Sequence, residues 1–165
     1  MSKVLTDRKL HRALLKYRRH YLNKNIDNID ESSTRILVNH LLSDVLGYRE
    51  LIDIKTEYPI LGGYVDYLIE INGIKQFVIE VKSLNTKLTY KHLRQAIYYG
   101  TIAGTNWIIL TNGRNIDLYY IKYHKPLIVT KVFEVDLAKL DLKNRESIAS
   151  ITKRSVMRGD LIYKT

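Results

Sequence analysis

Asp66, Glu80 and Lys82 lie in a stretch that has the pattern of two buried strands. In the segment GGYVDYLIEINGIKQFVIEVKSLN, residues 62–85, apolar side chains surround Asp66, Glu80 and Lys82. Ionised side chains are costly to bury unless they are paired or bind a metal ion. The sequence therefore predicts either an ion-pair cluster at the end of a sheet or a site that binds a cation.

The types of these residues suit phosphodiester hydrolysis. Asp66 and Glu80, with a convergent backbone carbonyl at Val81, are hard oxygen ligands for Mg²⁺, and Mn²⁺ is expected to substitute for it. The metal would lower the pKa of a bound water and offset charge that develops on phosphorus, while Lys82 positions water and phosphate. The alternative is a structural cluster in which the carboxylates and the lysine only satisfy one another.

The register of the two strands decides whether the carboxylates can meet. Side-chain alternation puts Glu80 and Lys82 on one face of their strand. A regular two-residue turn at Asn72-Gly73 would place Asp66 opposite Ile79 and point it away from Glu80. The site therefore requires an irregularity, either an odd-length loop or a β-bulge, within these two strands.

The elements that must position these residues form one α/β domain. At 165 residues the chain is about one domain in length, and no repeat or Pro/Gly-rich linker divides it. Hydrophobic periodicity predicts the following strands: 52–58, 64–71, 76–82, 106–111, 116–122 and 127–134. The same patterns predict helices at 5–21, 31–46, 87–103 and 144–152. We expect a mixed sheet flanked by helices.

The second helix has clear end signals. Asp30 is placed to cap its first turn, and Gly47 follows its last residue. Its expected core stripe comprises Ile36, Leu37, Leu41 and Val45.

The first helix is basic and amphipathic. Residues 1–30 contain eight Lys or Arg and three Asp, half of the net charge of +10. Arg12, Lys16 and Arg19 flank an apolar stripe, which favours contact with a polyanion such as DNA. A subunit contact, simple cover for the core, and the composition of an AT-rich genome remain alternatives.

Several classes of site are excluded by composition. The chain has no cysteine, its five histidines are dispersed, and it lacks a Gly-rich phosphate loop. We therefore expect no disulfide, no thiolate metal site and no nucleotide cofactor. Without an apolar signal core or membrane span, a cytoplasmic protein with no membrane partner is expected.

Further segments accompany the charged residues in a fixed order. They are ESSTR, LGY, GGYVDYLI, VIEVKSLN, RQAIYYG and WIILTNGRNIDLY, over residues 31–121. Together they resemble the PD-(D/E)XK nuclease superfamily, and in particular the N-terminal nuclease domain of type I restriction enzyme R subunits and its stand-alone relatives. Val65 departs from that pattern, because members usually carry Pro or a small residue before the Asp.

The resemblance implies roles for the charged residues. Asp66 and Glu80 would be metal ligands and Lys82 the catalytic lysine. Glu31 would help to hold the metal through water, although an acidic residue in the first turn of a helix is also favoured by the helix dipole.

The resemblance also implies a role for the helix at 87–103. Gln95 and Tyr99 match the QxxxY pattern of the exonuclease-like branch, and Lys91 shares their helix face as a DNA contact. A solvated helix edge is the alternative.

The whole chain is thus expected to be a single restriction-endonuclease-like domain with a central mixed sheet. Its segments are the basic helix at 1–25, the nuclease core at 31–121 and a C-terminal strand and helix at 122–165. The expected activity is Mg²⁺-dependent DNA hydrolysis, in restriction or phage defence. A homodimer or a larger nuclease complex is an open alternative, as is a nucleic-acid-binding module with weak or no activity.

Overall fold

The computed structural model describes residues 3–23 and 29–161, with side chains from residue 8 onward. Its strands are β1 (Ile54–Ile60), β2 (Gly63–Ile71), β3 (Ile74–Val81), β4 (Trp107–Thr111), β5 (Asn115–Lys122) and β6 (Ile128–Asp136). Its helices are α1 (Lys3–Tyr17), α2 (Glu31–His40), α3 (Tyr90–Ala103), α4 (Leu142–Ser150) and α5 (Lys153–Met157). Residues 1–2, 162–165 and the connector at 24–28 of the expected domain lie outside the described residues.

The six strands form one mixed sheet in the order β1-β2-β3-β4-β5-β6. Only β3 and β4 are parallel, and α3 makes the crossover between them, as parallel neighbours require. All other neighbouring pairs are antiparallel. The expected mixed α/β sheet flanked by helices is confirmed, and each strand has its ends within two residues of the predicted ones.

The two faces of the sheet are covered by different helices. On one face, Phe77, Ile79 and Val81 belong to the large core that α1, α2 and α4 complete. On the other face, Val78 and Ile108 pack beneath buried residues of α3. This alternation leaves the next even-numbered position of β3, Glu80, at the end of the sheet on the α3 side.

Helix α1 covers the core with one side and presents charge on the other. Leu14 and Tyr17 are buried, and the Tyr17 hydroxyl donates a hydrogen bond to the carbonyl of Gly113 at 2.7 Å. A π-helical turn, Arg18–Leu22, continues the helix. The basic residues Arg12, Lys16 and Arg19 are exposed. The helix therefore packs on the core, which was one of the alternatives for it, and its basic side chains stay exposed.

Helix α2 begins as expected and packs differently. The Asp30 side chain accepts a hydrogen bond from the backbone N–H of Ser33. A π-helical turn, Leu41–Val45, continues the helix, and Gly47 ends it with φ of 80°. The prediction that Ile36 faces the core is wrong, because Ile36 is 61% exposed. Val38 takes that place, since the buried stripe lies further round the helix.

The turn between β2 and β3 is a regular two-residue hairpin. Asn72 and Gly73 both have positive φ, 51° and 77°, which suits the tight turn of a twisted hairpin. Ile71 and Ile74 pair directly across it. The turn alone would therefore keep Asp66 away from Glu80.

Candidate functional site

A β-bulge in β3 corrects the register set by this turn. Next to the turn, Glu70 pairs with Lys75, but the following pair is Ile69 with Phe77, so Gln76 is an extra residue in β3. A bulge shifts the pairing by one residue and thereby changes which side chains face each other. The irregularity that the site requires is confirmed, and its form is a bulge rather than an odd-length loop.

Beyond the bulge the carboxylate of β2 reaches β3. Tyr67 pairs with Ile79, and continuing this register by one residue brings Asp66 level with Glu80. The Oδ2 atom of Asp66 accepts the backbone N–H of Val81 at 2.8 Å. Asp66 is thus held beside the segment that carries Glu80 and Lys82.

The ammonium group of Lys82 contacts Glu80 and Glu31, and Asp66 adds to the negative electrostatic field around it. Lys82 Nζ donates to Glu80 Oε1 at 2.7 Å and lies 3.8 Å from Glu31 Oε2. Glu31 comes from the first turn of α2, so α2, β2 and β3 each contribute a carboxylate. We refer to Glu31, Asp66, Glu80 and Lys82 together as the acidic cluster.

The electrostatics of the acidic cluster are unbalanced toward negative charge. Glu80 is only 2% exposed, and this burial raises its pKa to about 7; the hydrogen bond from Lys82 opposes the rise, and repulsion from Asp66 and Glu31 adds to it. Burial by itself would lower the pKa of Lys82, but its hydrogen bond to Glu80 and the surrounding carboxylates raise it overall. Lys82 therefore stays cationic at neutral pH while Glu80 lies close to titration.

Arg35 is a member of the site that the sequence reasoning missed. Its Nη1 atom donates to Asp66 Oδ1 at 3.1 Å and lies 3.8 Å from Glu57 Oε1. Its Nη2 atom donates to Ser32 at 3.2 Å. The signal was present in ESSTR, because Arg35 follows Glu31 by four residues and shares its helix face.

The donor set has the ligand types that a hydrated Mg²⁺ ion takes, and two features of the structure stand against a preformed site. Mg²⁺ binds proteins through one or two carboxylates and keeps several waters, which Asp66, Glu80 and a backbone carbonyl can satisfy. Burial raises the pKa of Glu80 most, and repulsion from Asp66 and Glu31 raises it further; a divalent cation would relieve that repulsion. However, Asp66 Oδ1 is engaged by Arg35, and the described residues contain no group of three His, Cys, Asp or Glu side chains poised to hold a metal.

Gln95 and Tyr99 contact each other rather than the acidic cluster. Gln95 Nε2 donates to the Tyr99 hydroxyl at 3.0 Å, one turn apart on α3. Lys91 is exposed one turn before them. Within the described residues no hydrogen bond or ion pair joins these three side chains to the acidic cluster, and the same is true of Arg12, Lys16 and Arg19 of α1.

His92 is a further neighbour that sequence reasoning set aside as one of several dispersed histidines. Its Nδ1 accepts the backbone N–H of Thr89 at 3.3 Å in a capping box at the start of α3. Burial lowers its pKa, and the positive charges of Lys82 and Lys91 lower it further. His92 is therefore neutral at pH 7 and lies within electrostatic reach of Lys82.

No helix within the described residues has the length and apolar character needed to cross a membrane. Comparisons of the chain with protein-family models, with curated proteins and with solved structures find no match.

Proposed function

We propose that this protein is a metal-dependent nuclease that hydrolyses phosphodiester bonds in DNA. The observation that supports the proposal best is the bulge at Gln76, which turns a regular hairpin into one that aligns Asp66 with Glu80. A purely structural hairpin has no need to bring two carboxylates together in a buried position, because their repulsion is costly.

We include in the proposal the finer fold assignment, a restriction-endonuclease-like domain. Three of the segments that resemble the PD-(D/E)XK superfamily, ESSTR, GGYVDYLI and VIEVKSLN, each contribute a residue to the acidic cluster. Val65, which departs from the superfamily pattern, is fully buried, so a larger residue is accommodated there by packing.

In this proposal Asp66, Glu80 and the carbonyl of Val81 hold Mg²⁺, or Mn²⁺ in its place, with Glu31 contributing through water. When bound, the ion supplies a more acidic water and compensates charge that develops on phosphorus. Lys82 orients the attacking water and the phosphate oxygen, since Glu80 fixes its ammonium group at 2.7 Å.

The remaining residues of the proposal act on the nucleic acid. Gln95 and Tyr99 assist from α3, where their mutual hydrogen bond fixes both side chains. Lys91 and the exposed face of α1, with Arg12, Lys16 and Arg19, contact phosphates. Assembly as a homodimer or in a larger nuclease complex stays a prediction.

The direct test is cleavage of supercoiled, linear duplex and single-stranded DNA with Mg²⁺ or Mn²⁺. Asp66→Ala should abolish cleavage. Asp136→Ala is the matched control, because Asp136 also pairs with an arginine, Arg114 at 2.9 Å, at the opposite end of the sheet order. Equal cleavage by the wild type and Asp66→Ala would contradict the proposal.

A second candidate function is a DNA-binding module without activity. The contact that favours it is the ion pair of Arg35 with Asp66, which occupies an oxygen that a metal ion would need. This candidate predicts DNA binding without cleavage under any metal. In either case, changing Arg12, Lys16 and Arg19 to Gln should flatten the salt dependence of binding, by about 0.9 in log–log slope for each lost phosphate contact.

A further inference from the structure

The outer face of α3 carries a line of aromatic and basic side chains that the core does not use. The helix buries Leu93, Ala96, Gly100 and Ala103 against the sheet. On the opposite side Tyr90 is 71% exposed and Tyr98 is 51% exposed, with exposed Arg94 midway between them. Spacings of four residues keep the three on one side of the helix. We refer to Tyr90, Arg94 and Tyr98 as the α3 stripe.

The charge around the α3 stripe is of one sign. From Val81 to Ile116, 36 residues, the chain contains five Lys or Arg and no Asp or Glu. Lys87, Lys91 and Arg94 are exposed, and none of them forms an ion pair with any residue in the described part of the chain. Unpaired cations with no competing carboxylate on the same helix are complementary to a polyanion.

The α3 stripe leads toward the acidic cluster. The segment between Lys82 and Tyr90 joins the acidic cluster to the start of α3, and within it the backbone N–H of Leu84 donates to the Thr34 hydroxyl of α2 at 3.0 Å. Asn112 of the adjoining loop donates to the carbonyl of Thr86 at 3.0 Å and so fixes the segment that leads into the helix. A strand that follows α3 from Tyr98 to Tyr90 is therefore directed to the end of the sheet where Lys82 lies.

The aromatic members decide which polyanion fits. A duplex presents phosphates but keeps its base faces stacked inside, so exposed tyrosines gain little from it. Unpaired bases stack on aromatic rings, and arginine contributes through both charge and stacking. Tyr90 and Tyr98 are separated by about 12 Å along the helix axis, so different bases of one strand can reach the two rings. Tyr98 is also held in place by its contact with Tyr99, at 5.9 Å between ring centroids.

We propose that the α3 stripe binds single-stranded DNA and guides an unpaired strand to the acidic cluster. This inference rests on the proposed function for the fate of the strand, but binding itself requires neither a metal nor cleavage. The substrate class of the nuclease would then be single-stranded DNA, or DNA with a frayed end, rather than intact duplex.

The test measures binding of the full chain to labelled oligo-dT and to a duplex of equal length, by fluorescence anisotropy in EDTA. Tyr90→Ala with Tyr98→Ala should weaken oligo-dT binding by about tenfold or more for each ring and leave duplex binding nearly unchanged. Replacing both tyrosines by Phe should retain most of the affinity, because stacking does not need the hydroxyl. Leu142→Ala is the control, since Leu142 is 59% exposed on α4, across the sheet from α3.

Other outcomes overturn the inference. Equal losses for oligo-dT and duplex would mean that the helix offers only charge. Unchanged oligo-dT affinity of the double Ala variant would mean that the α3 stripe does not bind DNA. Loss of a dimer in that variant, measured by sedimentation, would mean that the α3 stripe contacts a second copy of the chain. Tighter binding of oligo-rU than of oligo-dT would assign it to RNA. If the double Ala variant does not fold, cross-linking of bromodeoxyuridine DNA to the wild type replaces it, and cross-links away from Tyr90 and Tyr98 would contradict the inference. Binding of oligo-dT without cleavage in Mg²⁺ or Mn²⁺ would contradict the proposed nuclease activity but not the inference about the α3 stripe.

Discussion

Two buried carboxylates with lysine partners behave in opposite ways in this protein. Asp53 is 1% exposed and accepts hydrogen bonds from Lys153 Nζ at 2.6 Å and from Arg49 Nη2 at 3.0 Å. Glu80 is buried to the same extent, but Lys82 is its one cationic partner among the described residues, and Lys82 also faces Glu31. Asp53 thus has two cations for one carboxylate, whereas the three carboxylates of the acidic cluster have two cations, Lys82 and the partly exposed Arg35.

The pKa values follow these ratios. Burial raises the pKa of Asp53, but hydrogen bonds from Arg49 and Lys153 outweigh burial and hold the pKa well below its ordinary range. At Glu80 the effect of burial exceeds that of the hydrogen bond from Lys82, and the pKa rises to about 7. Burial of a carboxylate is therefore not in itself a sign of function. A deficit of cations around a buried carboxylate is such a sign, because the missing charge can be supplied by a ligand.

The largest expected effect is a difference in DNA cleavage rate between variants of Lys82 and Lys153. Lys82→Gln should lower the rate of DNA cleavage by at least about 100-fold, because it removes a preorganised charge from the reacting phosphate. Lys153→Gln should leave the cleavage rate per folded molecule unchanged, since among the described residues the Lys153 ammonium group bonds to Asp53 and to no residue of the acidic cluster; we refer to Arg49, Asp53 and Lys153 as the Asp53 cluster. Cleavage assays in Mg²⁺, normalised to the folded fraction by circular dichroism, measure both. A similar rate loss in the two variants would remove the distinction between the clusters.

The next largest effect is a difference in the free energy of unfolding between variants of Asp53 and Glu80. Asp53→Asn should lower the free energy of unfolding by about 3 kcal/mol, because the partly buried Lys153 then loses its counter-charge. Urea denaturation at pH 7 measures the change. Asp44→Asn is a suitable control, since Asp44 is exposed and its ion-pair partner in the described part of the chain is His40. A loss no larger than that of the control would mean that the Asp53 cluster does not stabilise the fold.

Glu80→Gln should raise the free energy of unfolding at high pH, whereas Asp53→Asn lowers it. The pKa of Glu80 is raised from 4.5 to about 7, so between these pH values the folded chain keeps a proton that the unfolded chain has released. The free energy of unfolding should therefore fall as pH rises through this window. At pH 8 in EDTA, Glu80→Gln should be more stable than the wild type by about 1–3 kcal/mol, and the slope between pH 5 and 7 should flatten. Destabilisation at pH 8 would show that Lys82 compensates Glu80 fully.

Most of the fold could be predicted from the sequence, because period-two apolar patterns and end signals such as Asp30 and Gly47 are local. The strand order could not be, since it depends on which edges meet after the chain has collapsed. The assignment of Ile36 to the core failed for a related reason. An apolar residue at the edge of the apolar face of a helix is compatible with either of two adjacent stripes, and in α2 the buried stripe contains Val38.

For the candidate site, the sequence predicts which residues take part but not how they are arranged in space. Asp66, Glu80 and Lys82 stand out because charges are rare in buried strands. The need for an irregularity follows from counting residues across the turn, but nothing in Gln76 marks it as the bulged position. Arg35 was missed because a lone arginine on a helix is usually solvated, and its contact with Asp66 depends on how α2 crosses β2.

The smallest expected effect concerns Arg35, which pairs with Asp66 of the acidic cluster as Arg49 pairs with Asp53. Arg35→Gln should change the free energy of unfolding by less than about 1 kcal/mol, because the side chain is partly exposed and its ion pairs are partly solvated. It should also tighten the binding of Ca²⁺ or Mg²⁺ several-fold, since Asp66 Oδ1 is no longer shared with a guanidinium group. Calorimetric titration without DNA measures the affinity directly and does not depend on activity.

The matched control is Arg114→Gln, which removes an arginine from an Arg–Asp pair of similar length, 2.9 Å, away from the acidic cluster. It should leave metal affinity unchanged. If Arg35→Gln instead weakens metal binding, Arg35 orients Asp66 for the ion rather than competing with it. If neither variant binds metal, and the wild type does not, the deficit of cations around Glu80 is met by protonation of Glu80. The acidic cluster would then differ from the Asp53 cluster in its pKa but not in any capacity to hold an ion.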